Sequence, residues 1–353
     1  MKKYLLSKEG NFYKANLHCH TTISDGKLSP EQVKELYKSK GYSIVAYTDH
    51  DVLVAHPELN DDNFLALNGL EVEIREGMLT DKDRVVGGYY DKNKQRLKVC
   101  HICMVALSPD NLLSVGYNRE NYLYFNNRNY RDKVVYDESK ADRLRYYTPE
   151  CINEIIKDGV DNGFFVTYNH PAWSMEDYRD YIAYNGMHAM EICNYDCFNN
   201  GYEDYSPKIY DDMLRAGKRI FCIGADDNHN KYPSTDRRSD SGGAFTVIKA
   251  DKLDYKSITN SLVNGNFYAS QGPEIYELYY EDGKICVKTS IADRIYLNVG
   301  ARRHDGVFDQ DGNGVNYAEF AVKETDIYVR LTVIDKYGKR ANTNAYFIDE
   351  LIK

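Results

Sequence analysis

Short apolar runs alternate with amphipathic stretches along the chain before Gly272. Continuous apolar runs such as 43–47 and 219–224 are typical of buried parallel strands. Ser29–Pro30 and Thr148–Pro149 start predicted helices, with the hydroxyl residue as N-cap and Pro in the first turn. The repeated order of strand and helix predicts an α/β fold with a parallel sheet, and the number of repeats favours a closed barrel.

The pattern changes after Pro273, where short runs of alternating apolar and polar residues are separated by Gly-containing turns. This pattern predicts a small antiparallel, sandwich-like β domain. The predicted division therefore places a first domain at 1–271 and a second at 272–353. Within the first, the polar segment 108–147 is rich in Asn, Arg and Tyr, and we interpret it as a partly helical insertion.

The composition is that of a globular protein, with 353 residues, 42% hydrophobic and 28% charged. A net charge of −9 argues against a stable nucleic-acid partner, since such surfaces are basic. No apolar run reaches membrane-spanning length, and Ser7, Lys8 and Glu9 interrupt the N-terminal apolar residues. We therefore expect a cytoplasmic protein without membrane contact. The eight cysteines are scattered through apolar strands and are expected to be buried thiols.

The segment Asn16–Gly26 carries the first candidate chemistry. His18 and His20 are separated by one residue at the end of an apolar run, so in a strand both imidazoles face the same side. Imidazole suits Zn, Fe, Mn or Ni sites, and Asp25 follows in a turn that can bring a carboxylate back. An isolated pair would be interpreted as a surface pair, but Asp, Glu and His recur at the ends of later predicted strands.

Together these motifs resemble the PHP (polymerase and histidinol phosphatase) family over residues 14–269, outside the insertion. The resemblance implies a distorted (β/α)7 barrel with three divalent metal ions, Mn, Zn or Fe. The motifs, in the family's order, are His18-x-His20, Ser24-Asp25-Gly26, Thr48-Asp49-His50-Asp51, Gly69-x-Glu71, His101, Asn169-His170-Pro171 and Asp227-x-His229.

Carried over position by position, the resemblance implies a complete set of nine metal ligands. Glu71 would bridge two of the metals, and Asp226 stays open as an alternative to Asp227. The first metal would be held by His18, His20, Glu71 and Asp227, the second by Glu71, His101 and His170, and the third by Asp25, His50 and His229.

Such a centre predicts a metal-dependent phosphoesterase that hydrolyses a small phosphate ester. Three divalent cations outweigh three carboxylates, so the site would attract phosphate although the chain is acidic. The expected nucleophile is a metal-bridging hydroxide, because no protein nucleophile motif is visible. Arg237 and Arg238 could clamp a phosphate, and a solvated pair of loop charges is the alternative.

Other interpretations remain open at the level of the sequence. One is a histidinol-phosphate-type phosphatase, and another is metal-dependent hydrolysis of a bond other than a phosphoester. A third is a non-catalytic protein that binds carbohydrate or another ligand through its 33 tyrosines. Asp49 is predicted to orient a histidine or a turn. Glu73 and Glu191 receive no role.

Overall fold

The computed structural model describes residues 2–76 and 98–352, and these form a mixed α/β structure with many strands. The strands are β1 (Lys3–Tyr4), β2 (Asn11–Asn16), β3 (Ile44–Tyr47), β4 (Leu65–Arg75), β5 (Val99–Ala106), β6 (Phe164–Tyr168), β7 (Ala189–Asn194), β8 (Phe221–Ala225), β9 (Phe245–Ala250), β10 (Phe267–Ser270), β11 (Ile275–Glu281), β12 (Lys284–Ala292), β13 (Arg294–Val299), β14 (Asp305–Phe308), β15 (Val315–Ala321), β16 (Tyr328–Ile334), β17 (Arg340–Thr343) and β18 (Tyr346–Phe347). The α-helices are α1 (Pro30–Ser39), α2 (Pro149–Asp161), α3 (Tyr178–Tyr181), α4 (Tyr195–Asn199), α5 (Pro207–Arg215), α6 (Tyr255–Val263) and α7 (Ile348–Leu351).

Two predicted helix starts are confirmed in detail. Ser29 caps α1 in a capping box with Gln32, and Pro30 occupies the first turn. Thr148 caps α2 by accepting a hydrogen bond from the Cys151 amide. The capped ends satisfy amides that have no partner within the helix.

A large mixed sheet organises the molecule in the strand order β14-β13-β16-β17-β10-β9-β2-β3-β4-β5-β6-β7-β8. Strands β2, β3 and β4 are parallel, as are β6, β7 and β8. Strand β5 is antiparallel to both of its neighbours. The expected parallel sheet is therefore wrong at β5, which pairs antiparallel with β4 and β6, and at β9, which pairs antiparallel with β2 and β10.

The C-terminal ends of β2 and β8 meet although these strands are far apart in the sequence. Cys19 and Asn228 form an isolated parallel bridge. The His20 amide donates to the Asn228 carbonyl at 3.0 Å, and the Asp227 amide donates to the His18 carbonyl at 3.0 Å. This junction places the first histidine motif beside the last Asp-x-His motif.

The strands after Pro273 divide between two sheets that share one apolar core. Strands β1, β11, β12 and β15 form a four-stranded sheet, and β13 and β16 belong to the large sheet. Buried residues of both sheets, such as Val287 and Leu331, contribute to the same core. The large sheet crosses the predicted boundary, since Ser270 of β10 pairs with Ala341 of β17. The division at 271 and 272 stays a prediction.

Within residues 2–76 and 98–352, no helix is both long enough and apolar enough to cross a lipid bilayer.

Candidate metal centre

The structure brings the nine predicted ligands together: eight line a cavity of about 380 Å³, and His18 lies beside them, in contact with Glu71 and Asp227. They lie at or beyond the ends of β2, β3, β6 and β8, and within β4 and β5. Seven of them are buried, and Asp25 and His229 are half-buried. The cavity is lined by His20, Asp25, His50, Glu71, Glu73, His101, Phe125, His170, Trp173, Asp196, Cys197, Asp227, His229 and Lys231.

A first group of ligand atoms converges between β2, β4 and β8. The Nε2 atoms of His18 and His20 are 3.1 Å apart. Asp227 Oδ1 lies 3.1 Å from His18 Nε2 and 3.0 Å from His20 Nε2. Glu71 presents Oε1 at 3.1 Å from His18 Nε2 and Oε2 at 3.2 Å from His20 Nε2. Two imidazole nitrogens and two carboxylates thus point at one common region, as the ligands of a cation do.

A second group shares Glu71. His101 Nδ1 lies 2.9 Å and His170 Nε2 lies 3.4 Å from Glu71 Oε1. The other ring nitrogen of His101 contacts Glu73 Oε2 at 3.2 Å, and that oxygen also accepts from Arg75 at 2.8 Å. Glu73 thereby orients the His101 ring, a role that sequence reasoning did not assign.

A third group lies around the half-buried Asp25. His229 Nε2 is 3.5 Å from Asp25 Oδ2, and His50 Nε2 is 3.9 Å from Asp25 Oδ1. The His20 ring stacks on His229 with centroids 4.4 Å apart, and its Nδ1 lies 3.8 Å from Asp25 Oδ1. These four side chains can offer ligand atoms within one coordination sphere.

Several buried polar atoms of the centre are left without hydrogen bonds. Among residues 2–76 and 98–352, Glu71 Oε2, Asp227 Oδ1 and His50 Nδ1 have no hydrogen-bond partner. Such atoms are costly in a protein interior unless they bind a ligand or an ion. The donor set therefore fits divalent cations.

The close packing of imidazoles and carboxylates at the centre shifts their pKa values. Burial lowers the pKa of the His20 imidazole, but the carboxylates of Asp227 and Glu71 outweigh it and raise this pKa to about 10. Burial and the neighbouring His20 lower the pKa of His50 to about 3. Burial raises the pKa of Asp25, but the imidazoles of His50 and His229 hold it well below its usual range.

The structure separates the roles of Asp226 and Asp227. Asp226 is fully buried and points away from the centre. Its carboxylate accepts from the amides of Gly242 and Ala244 at 2.6 and 3.0 Å, and from the Tyr37 hydroxyl at 2.9 Å. With these partners Asp226 holds the 242–244 turn, whereas Asp227 faces His18 and His20.

Two further carboxylates position the ligands. Asp49 accepts from the amides of Thr21 and Ser24 at 2.8 and 3.0 Å, which fixes the turn that presents Asp25. This agrees with the expectation for Asp49. Glu191 Oε1 lies 2.7 Å from His18 Nδ1, and its Oε2 accepts from the His170 amide at 3.1 Å. In the sequence, the one signal for Glu191 is its position in a buried strand. That position does not distinguish a residue that orients a ligand from a residue of the core.

The backbone at three site residues adopts positive φ angles that non-glycine residues rarely use. They are 58° at Asp51, 25° at His170 and 54° at Asp227. Such strain persists only where surrounding contacts hold it, and it is concentrated at functional sites.

The predicted phosphate clamp is not brought to the cavity. Arg238 is exposed, pairs with Asp236 at 2.8 Å and lies over the Tyr232 ring. Neither Arg237 nor Arg238 lines the cavity, whereas Lys231 of the same loop does. The eight cysteines are all buried and free, as expected.

No protein-family model matches the sequence. A 5'-3' exoribonuclease from Haemophilus influenzae is 26% identical over 109 residues, which cover 29% of this chain and 38% of that protein. The alignment therefore spans well under half the length of either protein.

Solved structures with a similar arrangement include three bacterial proteins. One from Bacteroides vulgatus, described as a two-domain protein containing a predicted PHP-like metal-dependent phosphoesterase, is 14% identical and covers 98% of both chains at a TM-score of 0.43. An amidohydrolase from Chromobacterium violaceum with bound sulfate is 15% identical and covers 61% of this chain and 87% of that chain at a TM-score of 0.38.

The third is a protein from Bifidobacterium adolescentis, described as a proposed metal-dependent phosphoesterase. It is 14% identical and covers 64% of this chain and 91% of that chain at a TM-score of 0.36. The PHP description of the Bacteroides protein names the family that the sequence motifs resemble. At these identities and TM-scores, the structural similarities do not indicate which reaction this chain catalyses.

Proposed function

We propose that the protein is a PHP-type, metal-dependent phosphoesterase that hydrolyses a small phosphate ester at a centre of three divalent cations. The observation that carries the proposal is the convergence of the nine predicted ligands, eight of which line one cavity. Buried carboxylate and imidazole atoms of this group have no hydrogen-bond partner among residues 2–76 and 98–352. Buried groups of this kind mark functional sites, because in a purely structural role they would only cost stability.

The proposed scaffold is a distorted (β/α)7 barrel formed by β2–β8. The bridge between Cys19 and Asn228 supports it, since it links the first and last of these strands at the end that carries the ligands. The antiparallel β5 is the distortion, and it places His101 directly opposite Glu73.

The three groups of ligand atoms suggest three cation positions. One would be held by His18, His20, Asp227 and Glu71. Glu71 would also serve a second with His101 and His170, and Asp25, His50 and His229 would hold a third. Divalent cations at these positions would supply Lewis-acid charge and an activated water.

The chain's own contribution is to orient the ligands and to favour anions. Glu191 contacts His18 Nδ1, which leaves His18 Nε2 directed at the other ligands. Glu73 contacts His101 Nε2, which leaves His101 Nδ1 directed at Glu71. Lys231 places an exposed ammonium at the rim of the cavity. A cavity of about 380 Å³ suits a small molecule.

The test is phosphate release by the purified chain, treated with chelator and reloaded with Mn²⁺, over phosphomonoesters, nucleotides and sugar phosphates. We expect His18→Ala and Glu71→Gln to lower release at least about 100-fold and to reduce the metal content measured by mass spectrometry. His304→Ala removes an exposed imidazole from the loop between β13 and β14 and serves as the matched control. Unchanged release by His18→Ala would refute the proposal.

A further inference from the structure

The predicted insertion reaches into the metal centre through one aromatic side chain. The half-buried Phe125 ring stacks on the His50 imidazole, with centroids 5.2 Å apart and planes at 28°. It lines the cavity together with Trp173, whose ring lies 5.0 Å from His170 and 5.3 Å from His101. Two aromatic surfaces therefore border a cavity that otherwise consists mostly of charged and imidazole groups.

Hydrogen bonds hold Phe125 in place against the ligand loops. Asn127 is fully buried, accepts from the Phe125 amide at 3.0 Å and donates to the His50 carbonyl at 2.7 Å. The Asn126 amide donates to the Ser24 carbonyl at 3.1 Å. The segment around Phe125 is thus attached to the two loops that carry His50 and Asp25.

The C-terminal part of the insertion is fastened to the same region. Arg145 is 1% exposed, and its Nη1 donates to Asp51 and, at 2.8 Å, to the Glu73 carbonyl. The Arg145 amide donates to the Tyr122 hydroxyl at 2.8 Å, and its guanidinium lies over the Tyr122 ring. The backbone that carries Phe125 is therefore held by contacts on both sides of this residue, at Tyr122 and at Asn126 and Asn127.

We propose that Phe125 is a specificity-determining residue that selects phosphate esters whose alcohol part carries a flat, apolar ring. This inference rests on the proposed phosphoesterase function. The phosphate would lie at the cations that the imidazole and carboxylate groups would hold, and the remainder of the ester would extend past His50 against Phe125. Aromatic rings pack best against other flat rings, in offset or edge-on geometry.

A binding experiment tests this without turnover, because Trp173 is the only tryptophan of the chain and lines the same cavity. Its fluorescence in the Zn²⁺-loaded protein would report titrations with phenylphosphonate and with methylphosphonate. We expect the wild type to bind phenylphosphonate about tenfold more tightly than methylphosphonate. In Phe125→Ala and Phe125→Leu the ratio should fall below about threefold, and Phe125→Tyr should restore it.

The matched control is Tyr146→Ala, which removes an exposed aromatic ring of the same insertion away from the cavity and should keep the preference. The zinc content of each variant reports whether the centre is intact. A preference that survives in Phe125→Leu with full zinc content overturns the inference, as does a wild type without any preference. A wild type that shows the preference but releases phosphate from no ester would instead refute the phosphoesterase function and leave the binding role of Phe125 standing.

Discussion

Two regions of the molecule bury charged side chains, and they do so in opposite ways. Where α5 meets the C-terminal strands, Arg330 is 1% exposed. Its guanidinium donates two hydrogen bonds, of 2.8 and 2.7 Å, to the Asp211 carboxylate. The Tyr328 hydroxyl donates to the same carboxylate at 2.8 Å. At the candidate metal centre, Glu71 and Asp227 contact several imidazoles, and in the described part of the chain one oxygen of each has no hydrogen-bond partner.

The difference separates a structural pair from a binding site. A buried ion pair whose polar atoms are satisfied by its own partners needs nothing further from solution. A cluster with unsatisfied buried oxygens stays unfavourable until a cation binds. The comparison predicts that mutations at Arg330 change stability alone, whereas mutations at the centre change the response to metal.

The largest effect on stability is expected from Arg330→Ala. It leaves the Asp211 carboxylate without its bidentate partner, so the free energy of unfolding should fall by about 3–5 kcal/mol. Urea unfolding followed by circular dichroism measures this loss. The metal content of the folded variant should equal that of the wild type, and a reduced content would break the proposed separation of the two regions.

Arg219→Ala is the matched control for that loss. Arg219 also joins this part of the chain to C-terminal acids, bonding Asp349 at 2.7 Å and contacting Glu350, but its side chain is 47% exposed. Exposed ion pairs contribute less than about 1 kcal/mol. A cost for Arg219→Ala as large as that for Arg330→Ala would show that burial is not what distinguishes the two pairs.

Cation binding should raise the free energy of unfolding of the wild type by almost as much as Arg330→Ala lowers it. A divalent cation at 100 times its Kd adds about 2.7 kcal/mol to the free energy of unfolding, and about 4 kcal/mol at 1,000 times. Thermal unfolding of chelator-treated protein, with and without added Zn²⁺, measures the gain. Asp227→Asn should lose most of it and Arg219→Ala should keep it. Equal gains in all three proteins would place the cation elsewhere.

The histidine pair and the start of α1 could be predicted from the sequence because their signals are local. The alternation of side chains in a strand places His18 and His20 on one face, and Ser29 and Pro30 mark the start of α1 within a few residues. Asp226 and Asp227 could not be told apart, because the distinction depends on the 242–244 turn, which hydrogen-bonds only Asp226.

What the sequence did not predict depends on contacts between distant segments. Glu191 reaches His18 across 173 positions, and Asn127 reaches His50 across 77. The antiparallel direction of β5 likewise follows from its pairing with β4 and β6, which a run of apolar residues does not encode. The motifs of the resemblance therefore pointed to the nine candidate ligands, and the sequence also assigned a role to Asp49, but neither pointed to Glu191 or Asn127.

Glu176 shows a third way to bury a titratable side chain, with tyrosine hydroxyls as its hydrogen-bond donors. Its carboxylate is buried and accepts from the hydroxyls of Tyr168 and Tyr184, both at 2.6 Å, and from that of Tyr147 at 2.8 Å. Burial raises the pKa of Glu176 from 4.5 to about 7, although the three hydroxyls oppose the shift.

This pKa predicts a stability that falls as the pH rises. The native state holds the Glu176 proton up to about pH 7, whereas the unfolded chain loses it near pH 4.5. The contribution is therefore full below about pH 4.5 and is lost as the pH rises through 7, with a limit of about 3 kcal/mol. Urea unfolding of the wild type and of Glu176→Gln at pH 5 and pH 8 measures it.

The comparison between the two proteins isolates Glu176 from the other groups that titrate in this range. Asp180 adds a nearby negative charge that raises the same pKa, and the Cys100 thiol is a further neighbour. The fall in stability from pH 5 to pH 8 should be smaller in Glu176→Gln than in the wild type. Equal falls would mean that the three hydroxyls stabilise the ionised carboxylate as well as water does.

The smallest expected loss of stability is that of Asn127→Ala. It tests whether the cost of an unsatisfied buried atom, invoked above for charged groups, also applies to neutral polar groups. Asn127 is neutral and fully buried, and its removal leaves the His50 carbonyl and the Phe125 amide without their side-chain partner. We expect Asn127→Ala to lower the free energy of unfolding by about 1–2 kcal/mol. Asn126→Ala, which removes an exposed side chain bonded to the Thr22 carbonyl, should cost less than about 0.5 kcal/mol.

The gain in stability on adding Zn²⁺ should be the same in both variants, because neither residue offers a ligand atom. A smaller gain in Asn127→Ala alone would mean that the insertion also holds His50 in its ligand geometry.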